Sequence, residues 1–311
     1  MRVTFDSMPN TLVQRLGVLS DRLSRLQIQV ATGQRIQVAS DDPSAMRRVL
    51  DMEGEAKTLT QYQDNIARLQ NQATASYSVM SGLQRISNRI GEIVTLADDM
   101  KSPQELQIYA GEVSQLIQQA VQIANTKGEN GYLFSGTATD TAPFALSLDA
   151  NGNVTGVTYQ GNTNTAPVEI ADGNQLSAAP VGANISGSGP FGLVTDTRTG
   201  ADFFAHMISL QNHLLAGDTA AIRSTDQPAL AADEQHLIYQ IAANGGLQSR
   251  LDAVESIGES RLDALNEMIS HDADADLAQT LVRLSQTQTA YEAALKSTAT
   301  ILNTSLLDYL H

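Results

Sequence analysis

A glycine-rich segment, residues 187 to 192, has the G-x-G-x-x-G spacing with which a loop can hold the pyrophosphate of a dinucleotide. In such a site the motif follows a strand and opens a helix, because the amides of the helix start bind the anion. The sequence predicts neither a clear strand before Gly187 nor a helix directly after Gly192. We therefore interpret the segment as a plain loop.

Two histidines, His206 and His213, lie seven residues apart and share one face of a predicted helix. Asp202 precedes His206 by four residues, so the three side chains could form a metal site. The H-E-x-x-H pattern of metalloproteases is absent. We interpret these residues as polar positions on a partly exposed helix.

Three aspartates, Asp272, Asp274 and Asp276, begin like a calcium-binding loop. Such a loop needs glycine and glutamate at two later positions, where this chain has Leu277 and Arg283. The aspartates are better explained as negative charge at the start of the last helix, where the helix dipole favours it. The spacing suggests no Ser-His-Asp or Cys-His set, and the chain has no cysteine. The sequence thus predicts neither an enzyme nor a bound cofactor or metal.

The 311-residue chain is acidic, with 34 Asp and Glu against 19 Lys and Arg and a formal net charge of -15. This charge repels phosphate backbones and anionic lipids, so we expect neither nucleic acid nor membrane as a partner. The chain lacks a run of about 18 apolar residues, and its first residues lack the pattern of a cleavable signal. Only 17% of the residues are charged, although much of the chain is predicted as helix. Uncharged polar helix faces suit packing against neighbouring subunits.

Apolar residues near the N-terminus follow the 4-3 spacing of a coiled-coil seam. The seam consists of Leu12, Leu16, Leu19, Leu23, Leu26 and Val30. It stops at Gly33, a residue suited to end a helix in the left-handed conformation. The S-D-D-P segment then predicts a new helix start, with Ser40 or Asp41 as its cap and Pro43 in the first turn. Gly33, Asp41, Asp42 and Pro43 are the predicted linker and cap motif.

A second seam runs from Leu59 to Ala97 with serine at two positions, and a third runs from Leu106 to Ile123. Residues 128 to 200 differ, because they hold 12 of the 22 glycines and four of the eight prolines. Within them, two short apolar runs flank Asp149–Asn153, whose residue types predict a hairpin turn. We expect a small β-rich domain here.

Helix is predicted again from about Ala201, and the C-terminal end carries a further seam with Gln288 and Thr298 as polar interruptions. This seam consists of Leu277, Leu281, Leu284, Tyr291, Leu295 and Leu302. Apolar seams at both ends favour antiparallel pairing of the two ends.

The sequence therefore predicts a mainly α protein with a β-rich insertion. Both chain ends would form an elongated antiparallel helical bundle or coiled coil, with the small β domain at its distal end. We expect a terminal coiled-coil domain of residues 1–40 plus 275–311 that orders on assembly. Residues 41–135 plus 199–274 would form a helical bundle domain, and residues 136–198 a β-rich variable domain.

Several motifs resemble those of the flagellin superfamily. Residues 29–45, QVATGQRIQVASDDPSA, resemble the segment in which a helix ends at Thr-Gly or Ser-Gly and paired aspartates follow. GYLFSG at 131–136 and the terminal run through SLLDYL at 305–310 resemble the members that join hook to filament. Filament flagellins typically have D-D-A-A-G after the linker, whereas D-D-P-S-A at 41–45 favours the junction members.

This resemblance covers residues 1 to about 136 and about 200 to 311, and it implies a structural subunit of the bacterial flagellum. Such a subunit would be secreted by the flagellar type III system and would lie outside the cell at the hook-filament junction. The implied partners are further copies in a ring at the distal hook end, a neighbouring hook-associated protein, flagellin, and a cytosolic export chaperone on the C-terminal helix. The seam residues at both ends would form the assembly surface.

Two alternatives stay open at this point. A filament-forming flagellin would share the same terminal helices. An unrelated secreted coiled-coil protein, such as a type III translocator, would be expected to carry a membrane-inserting apolar hairpin, which this sequence lacks.

Overall fold

The computed structural model describes the backbone of residues 7–177 and 180–309, and the side chains of residues 11–177 and 180–300. The predicted class, mainly α with a β-rich insertion, is confirmed. The chain divides into two compact units, Met1–Thr58 with Ser260–His311 (unit 1) and Leu59–Glu259 (unit 2). The three domains expected from the sequence stay a prediction.

Long helices carry most of the fold, and a π-helical turn, Ile222–Asp226, precedes the second longest of them. The α-helices are α1 (Ser7–Thr32), α2 (Pro43–Leu96), α3 (Pro103–Ala124), α4 (Phe203–Ala216), the short α5 (Thr219–Ala221), α6 (Gln227–Ala273) and α7 (Leu277–Tyr309). The strands are β1 (Lys127–Gly128), β2 (Gly131–Tyr132), β3 (Phe144–Leu148), β4 (Val154–Tyr159), β5 (Val168–Ala171), β6 (Asn174–Leu176), β7 (Val181–Asn184), β8 (Gly192–Asp196) and β9 (Ala201–Asp202).

The strands pair mostly as neighbours along the chain. β1 with β2, β3 with β4, and β5 with β6 form antiparallel hairpins, while β7 and β8 are parallel and β9 adds antiparallel to β8. The predicted turn between β3 and β4 is confirmed. The Asp149 carboxylate accepts hydrogen bonds from the backbone amides of Asn151 and Asn153, both at 2.8 Å, and the bond from Asn153 leads the causes that lower the pKa of Asp149.

Local sequence determines where α3 begins. The hydroxyl of Ser102 accepts a bond from the amide of Glu105 at 3.3 Å, and the Glu105 carboxylate accepts one from the amide of Ser102 at 2.8 Å. This reciprocal cap satisfies two amides that the helix itself cannot, and Pro103 occupies the first turn, where its missing amide is not needed.

The second predicted seam forms the buried side of α2 within unit 2. Its buried positions are Ile66, Leu69, Ala73, Ser76, Met80, Leu83, Ser87, Ile90, Val94 and Ala97. From Met80 onward, the apolar positions share a core with buried residues of α3, α4 and the β-rich insertion, in which the rings of Phe144 and Phe204 meet edge to face at 5.2 Å. Ile66 and Leu69 belong to a second, smaller cluster with Ile170 of β5 and Leu251 of α6. The 4-3 spacing therefore predicted the packing face of this helix, including its two serines.

Candidate assembly surface and linker corner

The predicted N-terminal seam is the buried side of α1. Leu26 is buried with 7% of its surface exposed, and the other five seam residues of α1 are half-buried. α1 packs against α7, and the two helices run antiparallel because α1 ends where α7 begins. The first seam is therefore engaged within the chain.

The face that α7 turns inward has threonine at its buried positions within the described residues. Thr280, Thr287 and Thr298 are each 7% exposed, and Leu284 and Tyr291 between them are half-buried. Each of the three hydroxyls donates to the backbone carbonyl four residues earlier, at 2.7 Å. The sequence argument placed Thr298 in the seam as a polar interruption, but it missed Thr280 and Thr287, because threonine is not counted as apolar.

Three leucines of the predicted C-terminal seam lie on an exposed face of α7 instead. Leu277, Leu281 and Leu295 are 47%, 51% and 44% exposed. Eighteen residues are five full turns, so Leu295 lies in line with Leu277, and Leu281 lies one turn along the same stripe. The side chain of Leu302, the sixth residue of the predicted seam, lies outside the described residues. We call Leu277, Leu281 and Leu295 the outer leucine stripe.

The linker between α1 and α2 meets the turn between α6 and α7. The amide of Arg35 donates to the carbonyl of Ala273 at 2.7 Å, and the amide of Ala275 donates to the carbonyl of Gly33 at 2.7 Å. The guanidinium of Arg48 pairs with the carboxylate of Asp272 at 2.8 Å. These bonds join two segments more than 200 residues apart in sequence. They hold the C-terminal end of α1 and the N-terminal end of α7 together at one corner.

The cap of α2 differs from the predicted one by one residue. Asp42, rather than Ser40 or Asp41, accepts the bond from the amide of Ala45, at 3.0 Å. Pro43 is the first helical residue, so only the residue directly before it has the geometry of an N-cap. The amide of Ala45 is the main cause that lowers the pKa of Asp42, followed by the hydroxyl of Ser44.

Asp41 acts inside the linker, where its carboxylate accepts bonds from the amides of Gln37 and Val38 at 3.1 and 3.2 Å. Of the three C-terminal aspartates, only Asp276 has the predicted role at the start of the last helix, because Asp272 lies in the last turn of α6 and Asp274 accepts a bond from the hydroxyl of Ser270 at 2.5 Å. Asp276 accepts a bond from the amide of Gln279 at 3.0 Å, in the first turn of α7, as expected for negative charge at a helix start.

Gly33 is the linker residue with the clearest backbone requirement, since its φ of 74° lies in the left-handed region. Replacing Gly33 with alanine should destabilise unit 1 by about 1–2 kcal/mol, although no atom stands near the new methyl group. Urea unfolding followed by circular dichroism measures this. Gly33→Asn should cost less because asparagine tolerates this conformation, and equal losses for both variants would contradict the backbone explanation.

The segments with possible chemistry are accounted for by internal contacts. The side-chain amide of Asn184 donates to the carbonyls of Ser188 and Pro190, and Arg198 donates to those of Gly189 and Pro190. The carbonyls of the 187–192 loop therefore point inward, which is the wrong polarity for a phosphate, and the plain-loop interpretation agrees with this geometry.

His206 and His213 each contact a buried aspartate on a neighbouring element, and the carboxylate of Asp202 caps α4 by accepting a bond from Ala205 at 3.3 Å. Within the described ranges, no group of three or more His, Asp or Glu is placed to hold a metal ion. Nor is any helix in these ranges both long and apolar enough to span a bilayer.

Comparison with known proteins adds an independent line of evidence. Residues 7–139 match the family model described as the bacterial flagellin N-terminal helical region. The resemblance of this chain to the flagellin superfamily is thereby confirmed.

The chain is also similar to flagellar hook-associated proteins. Flagellar hook-associated protein 3 of Escherichia coli (strain K12) is 24% identical in an alignment of 285 residues that covers 86% of this chain and 87% of that protein. A Vibrio parahaemolyticus structure assigned as a flagellar hook-associated protein matches with a TM-score of 0.63 at 19% identity, over 75% of this chain and all of that one. The flagellar junction protein FlgL of Legionella pneumophila matches with a TM-score of 0.56 at 14% identity, over 73% of this chain and all of that one. This chain has their fold.

Proposed function

We propose that this protein is a structural subunit of the bacterial flagellum that joins the hook to the filament. The similarity to flagellar hook-associated protein 3 over most of both chains supports this function. The structural observation that carries it is the outer leucine stripe, since the ends of the chain are already paired with each other and still present apolar side chains to a partner.

The outer leucine stripe is the part of the predicted seam that can drive assembly. Complete burial of a fully exposed leucine side chain stabilises an assembly by about 1.5–3 kcal/mol. Because these three side chains are roughly half exposed, burial of each would contribute about half of that free energy. Repeated in every copy of a ring, this gain favours association of the terminal helices with neighbouring subunits. The leucines of α1 contribute by holding α1 on α7.

The remaining parts of the proposal follow from the resemblance. The subunit would reach its place through the flagellar type III system, helped by a cytosolic chaperone that binds the C-terminal helix, and would act without catalysis. It would contact the preceding hook-associated protein on one side and flagellin on the other. A chain without cysteine has no disulfide to prevent passage as an extended chain.

Changing Leu277 and Leu281 together to glutamine should abolish addition of the purified subunit to isolated hooks, as seen by electron microscopy. The melting of the free subunit should change by less than about 0.5 kcal/mol, because both side chains are half exposed. Val282→Gln is the matched control, since Val282 is 56% exposed but points about 100° away from Leu281 around the helix.

Equal loss of hook binding in the Val282 variant would show that general apolarity of α7, rather than the outer leucine stripe, drives assembly.

Deletion of the gene distinguishes the junction role from the alternative of a filament flagellin. A junction protein is expected to leave flagellin unpolymerised in the medium when it is missing, and intact filaments would overturn the proposal.

A further inference from the structure

Two histidine-aspartate pairs join α4 to the segment that follows it within unit 2. Nδ1 of His206 lies 2.7 Å from the carboxylate of Asp233 on α6, and Nδ1 of His213 lies 2.7 Å from that of Asp226 in the π-helical turn. The histidines are seven residues apart on α4 and the aspartates seven apart on the facing segment. The two pairs therefore form successive rungs between antiparallel helices.

Both aspartates are enclosed by their partners. Their side chains are 1% exposed, whereas those of His206 and His213 are 28% and 30% exposed. The second oxygen of Asp233 accepts a bond from the amide of Asp202 at 2.9 Å, and that of Asp226 accepts one from the hydroxyl of Ser209 at 2.7 Å. A buried carboxylate is costly unless it is fully paired, so these histidines have a strong influence on how well α4 is held.

The chain backbone is unusual at the second rung. Asp226 is the last residue of the π-helical turn Ile222–Asp226, which has one residue more per hydrogen-bonded turn than an α-helix. Such turns are rare and less favourable than α-helix, and Ile222 and Asp226 are its buried residues. The rungs to α4 thus stabilise a segment whose backbone alone would favour a different register.

Other charged groups around α4 are already engaged. On β8, Asp196 is paired with Arg198 at 2.6 Å, and on α3 Glu112 is paired with Arg89 at 2.6 Å. Near α5, Arg223 pairs with Asp99 at 3.0 Å. Glu105 of α3 belongs to the helix cap at Ser102. The hydroxyl of Tyr159 on β4 donates a hydrogen bond to the carbonyl of Phe134. The carboxylates that act on His206 are those of Asp233, Asp202 and Asp226.

We propose that the His206–Asp233 pair is a proton-dependent clamp, which holds α4 against α6 when the imidazole is charged and loosens as the pH rises. The His213–Asp226 pair, two turns further along the same interface, keeps the two segments in register. Loosening would free α4 and the π-helical turn together, because both depend on this row of contacts.

The pKa values of the pair support this direction. The hydrogen bond to Asp233 raises the pKa of His206, against the effect of burial, and burial raises the pKa of Asp233, against the effect of His206. His206 stabilises the fold fully below its unfolded pKa of about 6.5, and this contribution is lost as the pH rises through the folded pKa. Because the pKa of Asp233 is raised in the folded state, ionisation of this carboxyl lowers the free energy of unfolding as the pH rises above about 3.8. Both groups therefore favour the folded interface in acid.

Hydrogen exchange of the full chain at about pH 5.5 and about pH 8, corrected for the intrinsic rate at each pH, tests the clamp. Peptides covering α4 and the π-helical turn should open several-fold more often at the higher pH, because the stabilising contribution of the charged His206 imidazole is lost as the pH rises through its raised pKa. His206→Gln should remove this ratio. His271→Gln, which changes a side chain that is 88% exposed, should retain it.

An unchanged ratio in His206→Gln, or equal opening of the unmodified protein at both pH values, would overturn the proposal. If His206→Gln does not fold, the imidazole signals of the unmodified protein answer the question by NMR. The midpoint of the His206 titration should lie above about 6.5 and coincide with the midpoint of the exchange change, and a mismatch between them would also refute the clamp.

Discussion

Leu83→Asp should unfold unit 2 at neutral pH. Leu83 is completely buried in α2, where it belongs to the core shared with α3 and α4. An unpaired carboxylate there costs several kcal/mol, a large part of the about 5–15 kcal/mol that stabilise a typical domain. Circular dichroism and tryptic digestion of the purified variant should show lost helix and cleavage within residues 59–259.

A matched control is available on the same helix. Leu50 is 53% exposed, so Leu50→Asp should change stability by no more than about 0.5 kcal/mol. Leu83→Ala adds an intermediate step, with an expected loss of about 2–5 kcal/mol from the cavity alone. If the aspartate variants at positions 50 and 83 melt alike, the assignment of the core face of α2 is wrong.

Gly192→Ala should destabilise unit 2 by about 3 kcal/mol or more. A methyl group on Gly192 would overlap the carbonyl oxygen of Thr195 and lie 2.5 Å from the backbone nitrogen of Asn184. Both are backbone atoms of the paired strands β7 and β8, so no side chain can rotate away, and the cost exceeds the about 1–3 kcal/mol usual for overpacking. Urea unfolding of the full chain measures the loss.

The carbonyl of Gly192 also accepts a bond from Nε2 of His236 at 2.7 Å, so a shift of this strand would break a buried contact with α6. Gly54→Ala is the control, because nothing lies within 4 Å of its new methyl group and alanine favours the helix there by about 0.5–1 kcal/mol. A Gly192 variant as stable as the unmodified protein would show that β7 and β8 can separate at no cost.

The sequence predicted the elements of this fold well wherever apolar spacing or turn chemistry acts locally. α1 ends at Thr32, one residue before the glycine predicted to stop it, and the hairpin of β3 and β4 turns at the predicted segment. These features depend on residues within one or two turns of each other, so a single sequence contains the information.

The sequence did not show which helix face is buried where a distant part of the chain decides it. The leucines at 277, 281 and 295 and the threonines at 280, 287 and 298 follow overlapping heptads on neighbouring faces of α7, and only the presence of α1 decides which face is buried. A scan for apolar residues selects the leucines, because it does not count a threonine whose hydroxyl is satisfied within its own helix.

The buried polar row that runs from the π-helical turn into α6 was missed for a similar reason. Asp226, Asp233 and Gln240 recur every seven residues and are all buried, yet each is polar and would be assigned to a solvated face. Their partners are His213 and His206 on α4 and the carbonyl of Gly192 on β8, which are two other parts of the chain. No local signal in the sequence identifies such partners.

The threonine face of α7 has a consequence for the identity of the helix that covers it. Because the hydroxyls of Thr280, Thr287 and Thr298 bond within α7, the side chains offer a neighbour mainly methyl surface and no directional pairing. Any helix with leucines at 4-3 spacing would fit this face, and α1 of an adjacent copy is identical to α1 of the same chain. Two subunits held side by side could therefore exchange their first helices and keep every contact, which is the condition for domain swapping.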